Sequence, residues 1–279
     1  VMVADLDRCV GCQTCTAVCR QTNATQPGVQ WRKVLDLEFG EYPDVQRVFV
    51  PVGCQHCADP PCMHVCPSTA TRQRDDGIVT IDYDLCIGCA HCAVACPYQA
   101  RSKVDEPVYA HGREPTVLER LQFDEKRMGV SQKCTFCADR IDDGLARGLT
   151  PGVDPDATPV CANSCIAEAL HFGDIEDPES KVSKLLAENN QFRMHEELGT
   201  DPGFYYLWNN REKNRTDPGM IFGNTHKQNW DWRAAGNFMF GGTGGSLMFM
   251  TAATSFPASP PDMLGLVSLI IVGAGLGGG

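Results

Sequence analysis

The stretch Asp84-Leu85-Cys86-Ile87-Gly88-Cys89-Ala90-His91-Cys92-Ala93-Val94-Ala95-Cys96-Pro97 sets four thiols at C-x2-C-x2-C-x3-C spacing with a proline behind them. Thiolate sulfur is a soft ligand that selects zinc, copper(I) or iron–sulfur clusters. Three cysteines in strict steps of two suit a loop wrapped round one corner of a cubane. The fourth, three residues on, starts a helical turn that aims its sulfur at a neighbouring cluster, and the proline stops that turn from continuing. The spacing recurs at Cys9, Cys12, Cys15 and Cys19, where Arg20 replaces the proline. A third quartet is Cys54, Cys57, Cys62 and Cys66-Pro67, with two extra residues before its third cysteine. The last is Cys134, Cys137, Cys161 and Cys165, with 23 residues in its middle gap.

The chain has 279 residues, 16 cysteines and a formal net charge of −11. Disulfides suit short secreted chains, whereas cysteines two residues apart suit metal. Zinc sites usually join two C-x2-C knuckles across a longer gap or include histidine. The last quartet alone would be compatible with that; the strict triplets are not. The spacing is the bacterial ferredoxin signature, in which the fourth cysteine ligates the other cluster of a pair. Pseudo-twofold symmetry between quartets then pairs Cys86, Cys89 and Cys92 with Cys66, and Cys54, Cys57 and Cys62 with Cys96. Likewise Cys9, Cys12 and Cys15 pair with Cys165, and Cys134, Cys137 and Cys161 with Cys19. Four [4Fe–4S] clusters are expected, each adding about two negative charges when oxidised, by charge counting on four thiolates. The acidic balance and the lack of any basic stripe exclude nucleic acid as a partner. No Ser-His-Asp arrangement or nucleotide-binding glycine loop is present, so the sequence reads as an electron conductor and not as a seat of substrate chemistry.

These cysteines need short strands and loops to hold them. Strands are expected at residues 1–6, at the valine-rich 45–52 and at 78–81, each running into a quartet. This strand–loop–helix unit repeats, with insertions at 20–53 and 98–132. A helix is expected over 180–190, with Val182, Leu185 and Leu186 on one side. Residues 191–230 read as an irregular aromatic arm, with Phe204, Tyr205, Tyr206 and Trp208 near partner subunits. Asp142-Asp143 reads as a turn. His56, His64 and His91 lie inside complete quartets and read as exposed or bonded to backbone. Arg8 and Lys133 directly precede quartet cysteines and could either raise a cluster's potential or lie on a solvated face.

Residues 1 to about 208 resemble the four-cluster iron–sulfur subunit of the complex molybdenum oxidoreductases, the dimethyl-sulfoxide-reductase family. The order of quartets, the Cys-Gln-His-Cys-x4-Cys stretch and the wide-gapped Gln-Lys-Cys-Thr-Phe-Cys quartet carry the resemblance. It implies a molybdopterin catalytic subunit as partner, with the molybdopterin there and not in this chain. Some members hold a three-iron cluster at a quartet with a non-cysteine residue; here all sixteen positions are cysteine, so four cubanes are implied. Gly28-Val29-Gln30-Trp31-Arg32 and Glu196-Glu197-Leu198-Gly199-Thr200 look most like subunits from sulfite-oxidising and phenylacetyl-CoA-oxidising complexes. The alternatives are an electron-transfer subunit of a hydrogenase or formate-dehydrogenase-type complex, and a zinc-stabilised structural module.

No charge occurs from Ala234 to Pro261, nor after Asp262. Residues 238–256 give 19 uncharged residues and 263–279 another 17, about the length of membrane spans. A glycine-rich soluble tail is the plainer alternative. Residues 230–238 look like the start of the membrane anchor subunit of such enzymes, so a fusion to an anchor domain with a quinone site is expected. Arg211, Lys213, Arg215, Lys227 and Arg233 precede the first span and no cation follows it before Asp262, which places the cluster-bearing part on the cytoplasmic face of the inner membrane. The first residue is Val; a missing native start and a membrane domain beyond the last residue are both expected. The fold expected is α+β, tandem bacterial-ferredoxin-like domains with loop insertions followed by a transmembrane α-helical hairpin. Its parts are a four-cluster domain at 1–180, an arm and linker at 181–233, and anchor helices at 234–279.

Overall fold

Each pair of cysteines at the head of a quartet is reached from a strand, and each quartet's last cysteine leads toward another. In this computed structural model, which describes residues 1–209, the elements are β1 (Met2–Asp5), α1 (Thr14–Asn23), β2 (Arg32–Phe39), β3 (Gln46–Gly53), α2 (Pro61–His64), β4 (Thr71–Gln73), β5 (Val79–Ile81) and α3 (His91–Ala95). There follow β6 (Ser102–Lys103), α4 (Val117–Gln122), β7 (Ser131–Gln132), α5 (Ala138–Ala146), α6 (Val160–Asn163), β8 (Leu170–Phe172), α7 (Lys181–Glu188), β9 (Gln191–Arg193) and β10 (Phe204–Leu207).

The strands that enter quartets (β1, β3, β5, β7) each pair antiparallel with a strand that leaves one: β2 with β3, β4 with β5, β6 with β7, and β8 with β1. The last pairing closes the series on itself, with Met2 opposite Phe172 and Ala4 opposite Leu170. The helices pair as well. α1 packs on α6, and α2 on α3, so the repeat seen in the spacing is a pseudo-twofold pair of pairs.

Proline accounts for only part of this repeat, since Cys165 is followed by Ile166 and α6 still stops at Asn163. Where Pro97 follows Cys96, α3 stops at Ala95 and Cys96 turns extended. Where Arg20 follows Cys19, α1 runs on through the cysteine to Asn23. The other three closing cysteines share one turn: Thr69, Gln99 and Glu168, each three residues on, have positive φ and donate their N–H to the carbonyl of Cys66, Cys96 and Cys165.

Two expectations need correction. The aromatic stretch of the arm is not an exposed docking surface: Phe204, Tyr206 and Leu207 are completely buried in β10, which runs parallel to β1 and antiparallel to β9. Alternation divides it between two interiors. Leu207 packs with Val3, Val182 and Leu186 under α7, while Phe204 and Tyr206 stack on each other at 4.9 Å on the opposite face. Burying side chains such as Phe204 and Leu207 is worth about 1.5–3 kcal/mol each. Second, Asp142-Asp143 lies within α5, not in a turn, and Asp142 is held in place by a paired Arg74. α7 forms as expected, capped by the Ser180 hydroxyl, which accepts the Ser183 N–H.

Among the described residues no helix is long and apolar enough to cross a membrane. The two uncharged stretches read as spans, 238–256 and 263–279, lie outside the described residues.

Candidate metal centres

In the first C-x-x-C segment of each quartet the residue before the second cysteine has positive φ: Gly11 (67°), His56 (44°), Gly88 (66°) and Phe136 (52°). Such a turn aims successive backbone N–H groups into one concavity, the anion-holding nest common at iron–sulfur sites. At Gly88 only glycine fits, because an added Cβ would meet the Gly129 carbonyl oxygen at 2.0 Å. A side chain in this region is strained, by about 1–3 kcal/mol. His56 and Phe136 accept that strain while stacked on each other, with ring centroids 3.7 Å apart.

Two cavities gather thiols from more than one quartet. One cavity is lined by Cys54, Cys57, Cys62 and Cys96, so the fourth thiol comes from the following quartet. A second is lined by Cys9, Cys12, Cys15 and Cys165, drawn from the first and last quartets. In a third set Cys19 and Cys134 are each close to Cys161, and Cys19 also to Cys137. For the remaining quartet, α2 packs on α3 and Cys92 is buried against Cys62 and Val79. No three His, Cys, Asp or Glu side chains among the described residues close on a single-ion site. A larger cleft between α1 and residues 108–128 contains no cysteine.

Local donors reach the sulfurs. Phe136 N–H approaches Cys134 Sγ at 3.4 Å, Ala169 N–H approaches Cys165 Sγ at 3.2 Å, and Asn23 Nδ2 approaches Cys19 Sγ at 3.6 Å. Burial pushes the free thiols up, Cys15 to about 11 and both Cys19 and Cys57 to about 12. The exposed Cys12 is lowered, chiefly by the Thr14 hydroxyl. A buried set of neutral thiols becomes a thiolate cage only by losing its protons to solvent as a metal binds.

Buried polar atoms without a hydrogen-bond partner include Arg32 Nε and Nη1, Arg101 Nη2 and His56 Nε2, and Arg101 and His56 line the cavity of Cys54. Arg32, completely buried, approaches Cys161 Sγ at 3.9 Å through Nη2 and lies over the Phe204 ring. An anionic thiolate-bound group satisfies such donors, so the residues present fit iron–sulfur clusters.

The histidines behave as the sequence reading has them. Nδ1 of His56 accepts the Val79 N–H, and burial together with Lys133 and Arg32 holds the ring neutral. His64 is exposed and pairs with Asp59, and His91 is exposed. Arg8 is exposed beside Glu168. Lys133 is not on a solvated face: it is buried, and Nζ donates to the carbonyls of Val79 and Cys134. Arg32 and Arg101 escaped the sequence reading, since nothing in it separates a buried arginine from a surface one.

Residues 45–111 match the 4Fe-4S dicluster domain family, a span that contains both quartets from Cys54 to Cys96. An iron–sulfur subunit assigned to dimethyl sulfoxide reductase in Halobacterium salinarum is 41% identical over 221 residues, covering 74% of this chain and 78% of that one. A selenate reductase subunit of Mesobacillus selenatarsenatis is 40% identical, over 74% of this chain and 71% of its own. A sulfite dehydrogenase subunit of Allochromatium vinosum is 34% identical, over 78% and 86%. The hydrogenase-type and zinc-scaffold alternatives find no support in these relatives. Quartets, ferredoxin-like loops and relatives agree, and the chain belongs to the iron–sulfur subunits of the dimethyl-sulfoxide-reductase family of complexes, the subunits that transfer their electrons.

Proposed function

We propose that the chain holds four [4Fe–4S] clusters, bound by Cys9/Cys12/Cys15/Cys165, Cys134/Cys137/Cys161/Cys19, Cys54/Cys57/Cys62/Cys96 and Cys86/Cys89/Cys92/Cys66. The cavity lined by Cys54, Cys57, Cys62 and Cys96 is the observation that carries this reading. Each cluster, when bound, supplies a one-electron site. Proximity orders the sets. Cys15 neighbours Cys161, Cys134 neighbours Cys54, and Cys62 packs near Cys92. The sequence of sites is therefore Cys9, Cys134, Cys54, Cys86. The two end sets each contain an exposed cysteine, Cys12 and Cys89, whereas the two inner sets contain none. Electrons enter and leave at the ends.

One end serves a molybdopterin catalytic subunit, the partner that the iron–sulfur subunit of such a complex implies. The other serves a membrane quinone site, in keeping with relatives named as a menaquinone reductase subunit in Nitratidesulfovibrio vulgaris and a menaquinol oxidoreductase subunit in Archaeoglobus fulgidus. The domain reading is 1–180 for the clusters, 181–233 for arm and linker and 234–279 for anchor helices, with the cluster part at the cytoplasmic face. Its support is the uncharged composition after Ala234 and the cations before it.

Anaerobic purification of the complex tests this. About sixteen iron per chain, four per cluster, and molybdenum in the copurifying large subunit are expected; zinc in excess of iron overturns the reading. Residues 1–230 should be released without detergent while the complete chain requires it, and a complete chain that is wholly soluble without partners refutes the anchor.

A further inference from the structure

Three cations are buried in the interior of this chain: Arg32, Lys133 and Arg101. None forms an ion pair with a carboxylate among the described residues, although a buried charge is costly unless paired. Each lies at a different junction in the series of cysteine sets. Arg32 faces Cys161, Cys134 and Cys19 of one set and Cys15 of its neighbour; burial disfavours its charge, but those four sulfurs outweigh burial and raise its pKa. Lys133 directly precedes Cys134, and its Nζ reaches across to the Val79 carbonyl beside Cys62 and acts on Cys62 itself. Arg101 donates to Thr71 Oγ1 at 3.2 Å and faces Cys62 and Cys54 on one side and Cys92 on the other.

We propose that Arg32, Lys133 and Arg101 are shared counter-cations, one at each of the three junctions between consecutive clusters, and that each raises the reduction potential of both clusters it adjoins. The proposal rests on the four-cluster assignment above. The physics is direct. Adding one electron takes a four-thiolate cubane from about −2 to about −3 in net charge, so a nearby cation favours the reduced form. A cation between two clusters favours an electron on either side. It therefore lifts both potentials and alters the difference between them by less. Three of the four sulfurs facing Arg32 belong to the Cys134 set, so that cluster feels Arg32 more than the Cys9 cluster does. The three cations also offset part of the negative charge that the clusters bring into one interior.

The test is redox titration of the purified holo-complex followed by electron paramagnetic resonance, with Arg32→Met, Lys133→Met and Arg101→Met beside their charge-retaining partners Arg32→Lys, Lys133→Arg and Arg101→Lys. Each methionine variant should move two of the four signals to lower potential, by about tenfold or more in the reduced-to-oxidised ratio at fixed potential, which is about 59 mV for a one-electron couple. The affected pairs should overlap: one signal answers to both Arg32 and Lys133, another to both Lys133 and Arg101, and each end signal to one variant only. The charge-retaining variants should stay near the parent. Where Arg32→Met or Arg101→Met loses iron, the remaining two variants still decide one overlap; where Lys133→Met does, Arg32→Met and Arg101→Met should move two separate pairs that share no signal. A variant that moves one signal alone, all four alike, or none overturns the proposal, as does a lysine or arginine exchange that shifts potentials as far as methionine does. Fewer than four signals in the unaltered complex would instead refute the four-cluster reading.

Discussion

His56 and Phe136 lie face to face, 3.7 Å between ring centroids and 23° from parallel, although 80 positions separate them. Each is the residue before the second cysteine of its C-x-x-C loop, and each has positive φ. Two strained nests are thus locked back to back, between the cavity of Cys54 and the set of Cys134. Phe136→Ala removes both the stack and a buried ring, at a cost of about 3–5 kcal/mol. The expected result is a lower Tm and iron loss from the two inner sets. Phe136→Tyr should retain most of the parent's stability if its hydroxyl finds a partner. A Tm unchanged by Phe136→Ala would show that the stack does not hold the loops.

Cys96→Ser should disturb the cluster held by Cys54, Cys57 and Cys62, not the one bound by Cys86, Cys89 and Cys92, because Cys96 lines the cavity of the former. Electron paramagnetic resonance of the variant complex checks this. Assignment of the altered signal to the Cys86 cluster refutes the exchange of closing cysteines.

Attack from solvent should discriminate between ends and middle. Cys12 and Cys89 are exposed, while Cys54, Cys57, Cys62, Cys19, Cys134 and Cys161 are buried. Under a mild oxidant with an iron chelator, iron should leave in two phases, the Cys9 and Cys86 clusters first. Single-phase release, or loss of an inner signal first, contradicts the order of sites.

His171, in β8 opposite Val3, is buried, and burial, Lys181 and Arg8 lower its pKa to about 4. A group whose folded pKa lies below its unfolded value of about 6.5 takes up its proton mainly on unfolding. Its contribution is therefore complete above pH 6.5, falls as pH drops toward 4, and changes no further below that. The Tm difference between the unaltered complex and His171→Gln should be constant above pH 6.5 and drift between pH 6.5 and 4 in the direction that disfavours the unaltered chain. A difference flat across that window shows that His171 does not titrate with folding.

The cysteine spacing made the iron–sulfur character visible in the sequence, while the exchange of fourth ligands stays a proposal whose support is the lining of two cavities. β1, β3, β5 and α7 were legible because valine-rich runs and apolar periodicity are local signals. β10 was not. Phe-Tyr-Tyr-Leu reads as an exposed aromatic patch until β1, some two hundred residues earlier, supplies its partner. β2 was overlooked although Leu35-Asp36-Leu37-Glu38-Phe39 alternates, a local strand signal, and it pairs along the whole of β3. Arg32 was unreadable altogether, since only the surrounding sulfurs justify burying a guanidinium there.

The pairing of β8 with β1 has a consequence for the order in which this protein can be made. All eight ligands proposed for the Cys54 and Cys86 sets fall between residues 54 and 96, so on that reading this half can close while much of the chain is still unsynthesised. The Cys9 and Cys134 sets enclose it, since Cys9 waits for Cys165 and Cys19 for Cys134, Cys137 and Cys161. Closing a longer loop costs more chain entropy and comes later. Until residue 165 has left the ribosome, Cys9, Cys12 and Cys15 are an incomplete triad of reactive thiols, and the young chain needs shelter from oxygen at its front end longer than in its middle.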